Sequence, residues 1–135
     1  MSTQETTVAN ISTYATAATG KTTLSITSGV LVVDSLNSVT GYTTLQVGTN
    51  GAHVISIPST FLSTSGATLT VNVTSTISVS ITGANLVGSS TKLATTTGVG
   101  NDTLTGGPAA DALSGGFGSD IIRGGTGIAA DTLVG

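Results

Sequence analysis

Residues 97–135 read TGVGNDTLT, GGPAADALS, GGFGSDIIR and GGTGIAADTLVG when cut at their glycine pairs. Asp102, Asp111, Asp120 and Asp131 follow one another at intervals of 9, 9 and 11. The unit is G-G-x-G-x-D-x-U-x, with U an aliphatic residue, and a fixed period of this kind marks a repeat architecture rather than a mixed globular core. The third unit matches in full. The first has Thr97 for the leading glycine, the second has Ala109 for the third glycine, and the fourth is stretched by two residues before Asp131.

The spacing has a physical logic. Six residues make a turn and the other three a short strand whose U residue faces inward, here Leu104, Leu113, Ile122 and Leu133. Two units complete a coil of 18 residues, so units one and three share one edge while units two and four share the other. Glycine turns admit positive φ and let backbone carbonyls converge. Ca²⁺ takes 6 to 8 oxygen ligands at about 2.3–2.6 Å, more than one loop supplies but within reach of two stacked loops carrying two carboxylates. The expected metal residues are Asp102 with Asp120 as the better pair and Asp111 with Asp131 as the weaker. Gly98, Gly100, Gly107, Gly116, Gly118, Gly125 and Gly127 would form the turns. Stacked aspartates repel without the ion, and closing flexible glycine turns costs entropy, so Ca²⁺ is expected to drive folding of 97–135.

This segment resembles the RTX family of secreted bacterial proteins, the hemolysin-type calcium-binding nonapeptide repeats. The resemblance implies a parallel β-roll, bound Ca²⁺ and export without a cleaved signal. Upstream, Asp34-Ser35-Leu36-Asn37-Ser38-Val39-Thr40-Gly41-Tyr42-Thr43-Thr44-Leu45-Gln46-Val47 and the Thr- and Ser-rich strands after it are similar in style to the solenoid regions of RTX-containing S-layer proteins.

The upstream region reads as strands. Leu24–Thr27, Leu45–Val47, Val54–Ile57, Leu69–Val73 and Ile77–Ile81 alternate apolar residues with Ser or Thr, and glycine or proline breaks separate them. An all-β chain follows. A parallel β-solenoid, a right-handed β-helix running into the β-roll, is preferred; a β-sandwich followed by a β-roll is the alternative. Three parts are expected: an N-terminal arm or cap over 1–20, a Thr/Ser-rich solenoid over 21–96 and the calcium-binding roll over 97–135. In the first part, Val8, Ile11, Ala15 and Ala18 have helical spacing, which suggests a short helix or an extended arm.

Composition excludes several functions. Of 135 residues, 19 are Gly and 45 are Ser or Thr, whereas only 7% are charged and 3% aromatic. Lys21, Lys92 and Arg123 are far apart and form no basic patch, so no nucleic-acid partner is expected. No apolar run approaches the roughly 20 residues that span a bilayer, so no membrane insertion is expected. Met1–Thr7 carries Glu5 and no base, unlike a cleaved signal peptide. With no cysteine there are no disulfides or thiolate sites.

Chemical motifs are equally sparse. Ala15–Thr22 satisfies a loose phosphate-loop pattern without the buried strand that should precede it. Ser89-Ser90-Thr91-Lys92 fits an acyl-enzyme pattern without its partner motifs. His53 stands alone and reads as structural, and no catalytic constellation emerges.

The expected function is therefore a non-enzymatic, extracellular or cell-surface structural protein that assembles with itself head-to-tail in Ca²⁺, as a filament or S-layer. Cell-surface polysaccharide is a further candidate partner. Ending on the strand Leu133-Val134-Gly135 leaves a coil uncapped, which favours association. The alternative is a folding or secretion module of a larger type I secreted protein.

Overall fold

The computed structural model describes residues 3–7, 11, 16–62, 66–84, 86 and 90–135. Among these residues eleven strands run in chain order: β1 Thr3–Thr7, β2 Thr23–Ser28, β3 Thr44–Val47, β4 Val54–Ser56, β5 Thr68–Val73, β6 Ser80–Thr82, β7 Lys92–Thr96, β8 Thr103–Thr105, β9 Ala112–Ser114, β10 Ile121–Arg123 and β11 Thr132–Val134. They form a seven-stranded sheet ordered β1-β2-β3-β5-β7-β9-β11 and a four-stranded sheet ordered β10-β8-β6-β4. Every strand pairing is parallel. A sandwich closed by hairpins would need antiparallel pairs. The fold is a β-solenoid of about six turns.

The core is a set of ladders between the two sheets. Leu24, Leu45, Val71, Thr95, Leu113 and Leu133 stand in register down the larger sheet. Ile55, Ile81, Leu104 and Ile122 do so down the smaller one. Alternation places these side chains inward and the Ser and Thr between them outward. The repeats of 97–135 and the Thr/Ser-rich coils before them belong to the same two sheets.

The two flanks differ. On one flank the turns from the larger to the smaller sheet all have six residues: 48–53, 74–79, 97–102 and 115–120. On the other, the return path takes 57–67, then 83–91, then only 106–111 and 124–131. The longer loops fill their own concavities with buried Phe61 and Leu86, and the 29–43 segment does so with Leu36, Val39 and Tyr42. The Tyr42 and Phe61 rings lie 6.1 Å apart.

Two strand expectations change. Ile77 and Val79 alternate with Ile81, yet 77–79 is turn, and Ile77 is exposed. The six-residue turn that precedes each strand of the smaller sheet claims these residues. The strand β7 was not apparent because its inward positions are Leu93 and a threonine, Thr95. Thr3–Thr7 is a strand pairing with β2, which accords with an extended arm, the other expectation for 1–20 beside a short helix. Val8 and Ala15, on which the helical spacing rests, lie outside the described residues.

Candidate metal centre

On the flank of six-residue turns, the sixth positions are His53, Val79, Asp102 and Asp120. Register stacks them, because Val54 pairs with Ser80, Ser80 with Thr103 and Thr103 with Ile121. The backbone N–H at this corner points along the solenoid axis, one residue before the sheet ladder takes over, and needs an acceptor. At Val79 and Asp102 a side chain from the next coil supplies it, whereas the His53 N–H turns to the Gly51 carbonyl of its own turn. Asp102 Oδ1 accepts the Val79 N–H at 2.8 Å, and Asp120 Oδ1 accepts the Asp102 N–H at 2.9 Å. His53 does the same for the coil above, its Nδ1 accepting the Leu31 N–H at 3.1 Å.

The opposite edge is built alike. Asp111 Oδ1 accepts the Leu93 N–H at 2.7 Å, and Asp131 Oδ1 accepts the Asp111 N–H at 2.8 Å. The structure thus groups the four aspartates as the nine-residue spacing demands, two on each edge, with Asp102 above Asp120 and Asp111 above Asp131. The two edges differ in their remaining oxygens. Asp111 Oδ2 accepts the Gly107 N–H within its own turn at 2.6 Å. Asp102 Oδ2 and Asp120 Oδ2 are buried and accept no hydrogen bond.

Two orphaned, buried carboxylate oxygens one above the other are costly unless a cation meets them. Their surroundings offer further hard oxygen. The Thr97, Gly98 and Gly100 carbonyls stand directly over Gly116 and Gly118, and those of Gly106, Gly107 and Pro108 over Gly125 and Gly127. Among the described residues no three His, Cys, Asp or Glu side chains converge, so any cation here would rely on backbone carbonyls beside two carboxylates. That donor set fits Ca²⁺ rather than a metal selecting nitrogen or sulfur. Burial pushes the Asp111 carboxyl above the ordinary carboxylate range, the Leu93 and Gly107 N–H groups pull it back, and the charge of Asp131 raises it again.

The glycines serve two purposes. Gly100, Gly116, Gly118 and Gly125 have φ between 79° and 141°, as a carbonyl-presenting turn requires. Gly98, Gly107 and Gly127 do not have positive φ. What limits a side chain there is the backbone of the coil above: a Cβ would collide with the Ser75 carbonyl at Gly98 and the Pro108 carbonyl at Gly127, and would crowd the Gly83 carbonyl at Gly107.

Sequence reasoning did not find the corner-capping role of Oδ1, nor the parts played by Thr97 and Ser75. Thr97, in place of a leading glycine, donates its hydroxyl proton toward the Gly115 carbonyl at 2.8 Å and ties the first repeat to the third. Ser75 occupies the second position of the turn 74–79 and is 2% exposed. Its Oγ accepts N–H bonds from Gly51 and Ile77 at 3.1 and 3.0 Å. The recurring six-residue gap between inward-facing strands was the available signal, hidden because 74–79 has neither Gly nor Asp and 48–53 keeps Gly48 and Gly51 but no Asp.

Neither a curated protein nor a solved structure matches the chain. Residues 96–128 match the model of the RTX calcium-binding nonapeptide repeat in four copies, a span that contains Asp102, Asp111 and Asp120 and stops short of Asp131. The coils from Thr96 to Ile128 are RTX calcium-binding nonapeptide repeats.

Proposed function

We propose that the chain is a calcium-stabilised structural solenoid of an extracellular filament or surface layer, in which copies stack end to end. The observation that carries the calcium reading is the pair of buried, unpartnered oxygens, Asp102 Oδ2 and Asp120 Oδ2, within matched RTX turns. These two carboxylates are assigned as ligands of one ion, with the overhanging carbonyls of Thr97, Gly98 and Gly100. Asp111 and Asp131 serve a second, weaker ion. RTX repeats imply a secreted protein of calcium-binding type, and export without a cleaved signal accords with that.

Stacking is supported by the arrangement of the sheet edges. β1 and β11 are the opposite edges of one all-parallel sheet, so a second copy in the same orientation can continue the ladder. At the β10–β11 end, Ile121, Leu133 and Val134 are about half exposed, an apolar edge of the kind that recruits another strand. Such a contact is head-to-tail and propagates. A structural role accords with two grooves among the described residues, which lie on the outer face of the larger sheet, lined by residues such as Thr70, Asn72, Thr96 and Ser114, without a titratable side chain.

Light scattering and electron microscopy of the full chain in Ca²⁺, then in EGTA, test this reading. Regular polymers that dissolve on chelation are expected. A calcium-folded monomer at high concentration would instead favour a folding module of a larger secreted protein.

A further inference from the structure

The four six-residue turns on one flank share a position and a length but not a filling. In 115–120 and 97–102 the interior holds aspartate oxygens with no hydrogen-bond partner. In 74–79 and 48–53 it holds neutral side chains whose polar atoms are satisfied. Ser75 Oγ accepts from Gly51 N and Ile77 N, and its proton reaches Asn50 Oδ1, the Gly51 carbonyl or the Ile77 carbonyl, at 2.9–3.1 Å. His53, 1% exposed, accepts from Leu31 N at Nδ1, while its Nε2 lies 2.9 Å from the Thr49 carbonyl. Asn50 Oδ1 also takes the Thr76 N–H at 2.7 Å, joining the two turns. On the other flank the upstream loops are filled by the buried side chains of Tyr42, Phe61 and Leu86 before the aspartates begin.

We infer that coils 23–96 are a calcium-independent template, in which His53 and Ser75 do by hydrogen bonding what the ion does below. Calcium then adds the coils of 97–135 to the finished edge formed by β6 and β7. The inference rests on the calcium reading of Asp102 and Asp120 and extends it by giving the ion a place in an order of assembly. The seam is marked by two backbone donors, Val79 N–H and Leu93 N–H, which the template presents and which Asp102 and Asp111 of the calcium-dependent coils accept. Local stability is thereby divided along one continuous core.

Amide hydrogen exchange of the full chain, followed by NMR in Ca²⁺ and in EGTA, tests it. Amides of β2 to β7 other than those aimed at the added coils, with Leu31, Gly51 and Ile77, are expected to stay protected in both conditions, and those of β8 to β11, with the seam donors Val79 and Leu93, only in Ca²⁺. Ser75→Ala is expected to speed exchange at Gly51 and Ile77 by roughly tenfold or more in either condition, with no rescue by Ca²⁺. Loss of β2–β7 protection in EGTA, restored together with β8–β11 by Ca²⁺, overturns the template while leaving the calcium site standing. Exchange in β8–β11 that is indifferent to Ca²⁺ overturns the calcium reading and the template with it.

Discussion

The carboxylate of Asp120 closes the corner of the coil above it, its Oδ1 accepting the Asp102 N–H at 2.9 Å while its Oδ2 is buried without a partner. One side chain therefore has two separable tasks, holding backbone and facing a cation. Asp120→Asn keeps an acceptor oxygen but loses the charge, and should raise the Ca²⁺ midpoint for folding at least about tenfold, with wild-type exchange at Asp102 restored at saturation. Asp120→Ala loses both tasks, so Asp102 N–H should exchange fast even at saturating Ca²⁺. Asp131→Ala should shift the midpoint less, because Asp111 Oδ2 is already engaged by Gly107. Calcium titration by circular dichroism ranks the three; equal shifts for Asp120→Ala and Asp131→Ala would refute the ordering of the sites.

Gly118 has φ 141°, and a Cβ there would run into the Gly100 carbonyl. Gly20 has φ 77° with open space around it. Gly118→Ala should therefore cost more than about 2 kcal/mol, from strain and a backbone clash together, and Gly20→Ala about 1 kcal/mol from strain alone. Denaturant unfolding in saturating Ca²⁺ measures both.

Thr95 stands in the inward ladder between Val71 and Leu113, 2% exposed, with its hydroxyl unpartnered. Thr95→Val keeps the branched shape and removes the buried hydroxyl. A gain of about 1 kcal/mol is expected from the denaturant midpoint; a loss would mean that the hydroxyl has a partner in solution.

Leu104 and Leu133 hold the same place in their repeats, but Leu104 is fully buried and Leu133 is 47% exposed. Leu104→Ala should cost about 2–5 kcal/mol by opening a cavity in the ladder. Leu133→Asp should leave calcium-dependent circular dichroism close to wild type and suppress polymer growth. Polymers that form normally with this variant would exclude the β11 edge from the contact.

The fold was legible where chemistry alternates. Ile26 beside Thr27 or Val71 beside Asn72 announces a half-buried strand, and the nine-residue beat of Asp102, Asp111 and Asp120 dictates which carboxylates share an edge. Strands without that contrast were silent. Thr3–Thr7 has no aliphatic residue, and Thr95 takes an inward place that periodicity reserves for Val or Leu. Ile77 misled because alternation is a local signal, whereas the boundary between turn and strand is set by the coils above and below. The site's residue types were readable for the same reason that its second task was not. A carboxylate and a glycine at fixed spacing imply a cation, but the Val79 and Leu93 N–H groups become neighbours of Asp102 and Asp111 only after 23 and 18 residues of chain have wrapped around. His53 offered still less, since a lone imidazole acquires meaning only from the column it stands in.

The contrast between the two flanks carries a consequence for change. The four turns 48–53, 74–79, 97–102 and 115–120 are built to one gauge, and an added residue there would displace the corner donors of two neighbouring coils at once. The side bearing 57–67 and 83–91 already accommodates returns of different length without disturbing either ladder. Insertions, epitopes or grafted peptides belong on that second side, where a polymer of these chains would display them once per subunit along its length.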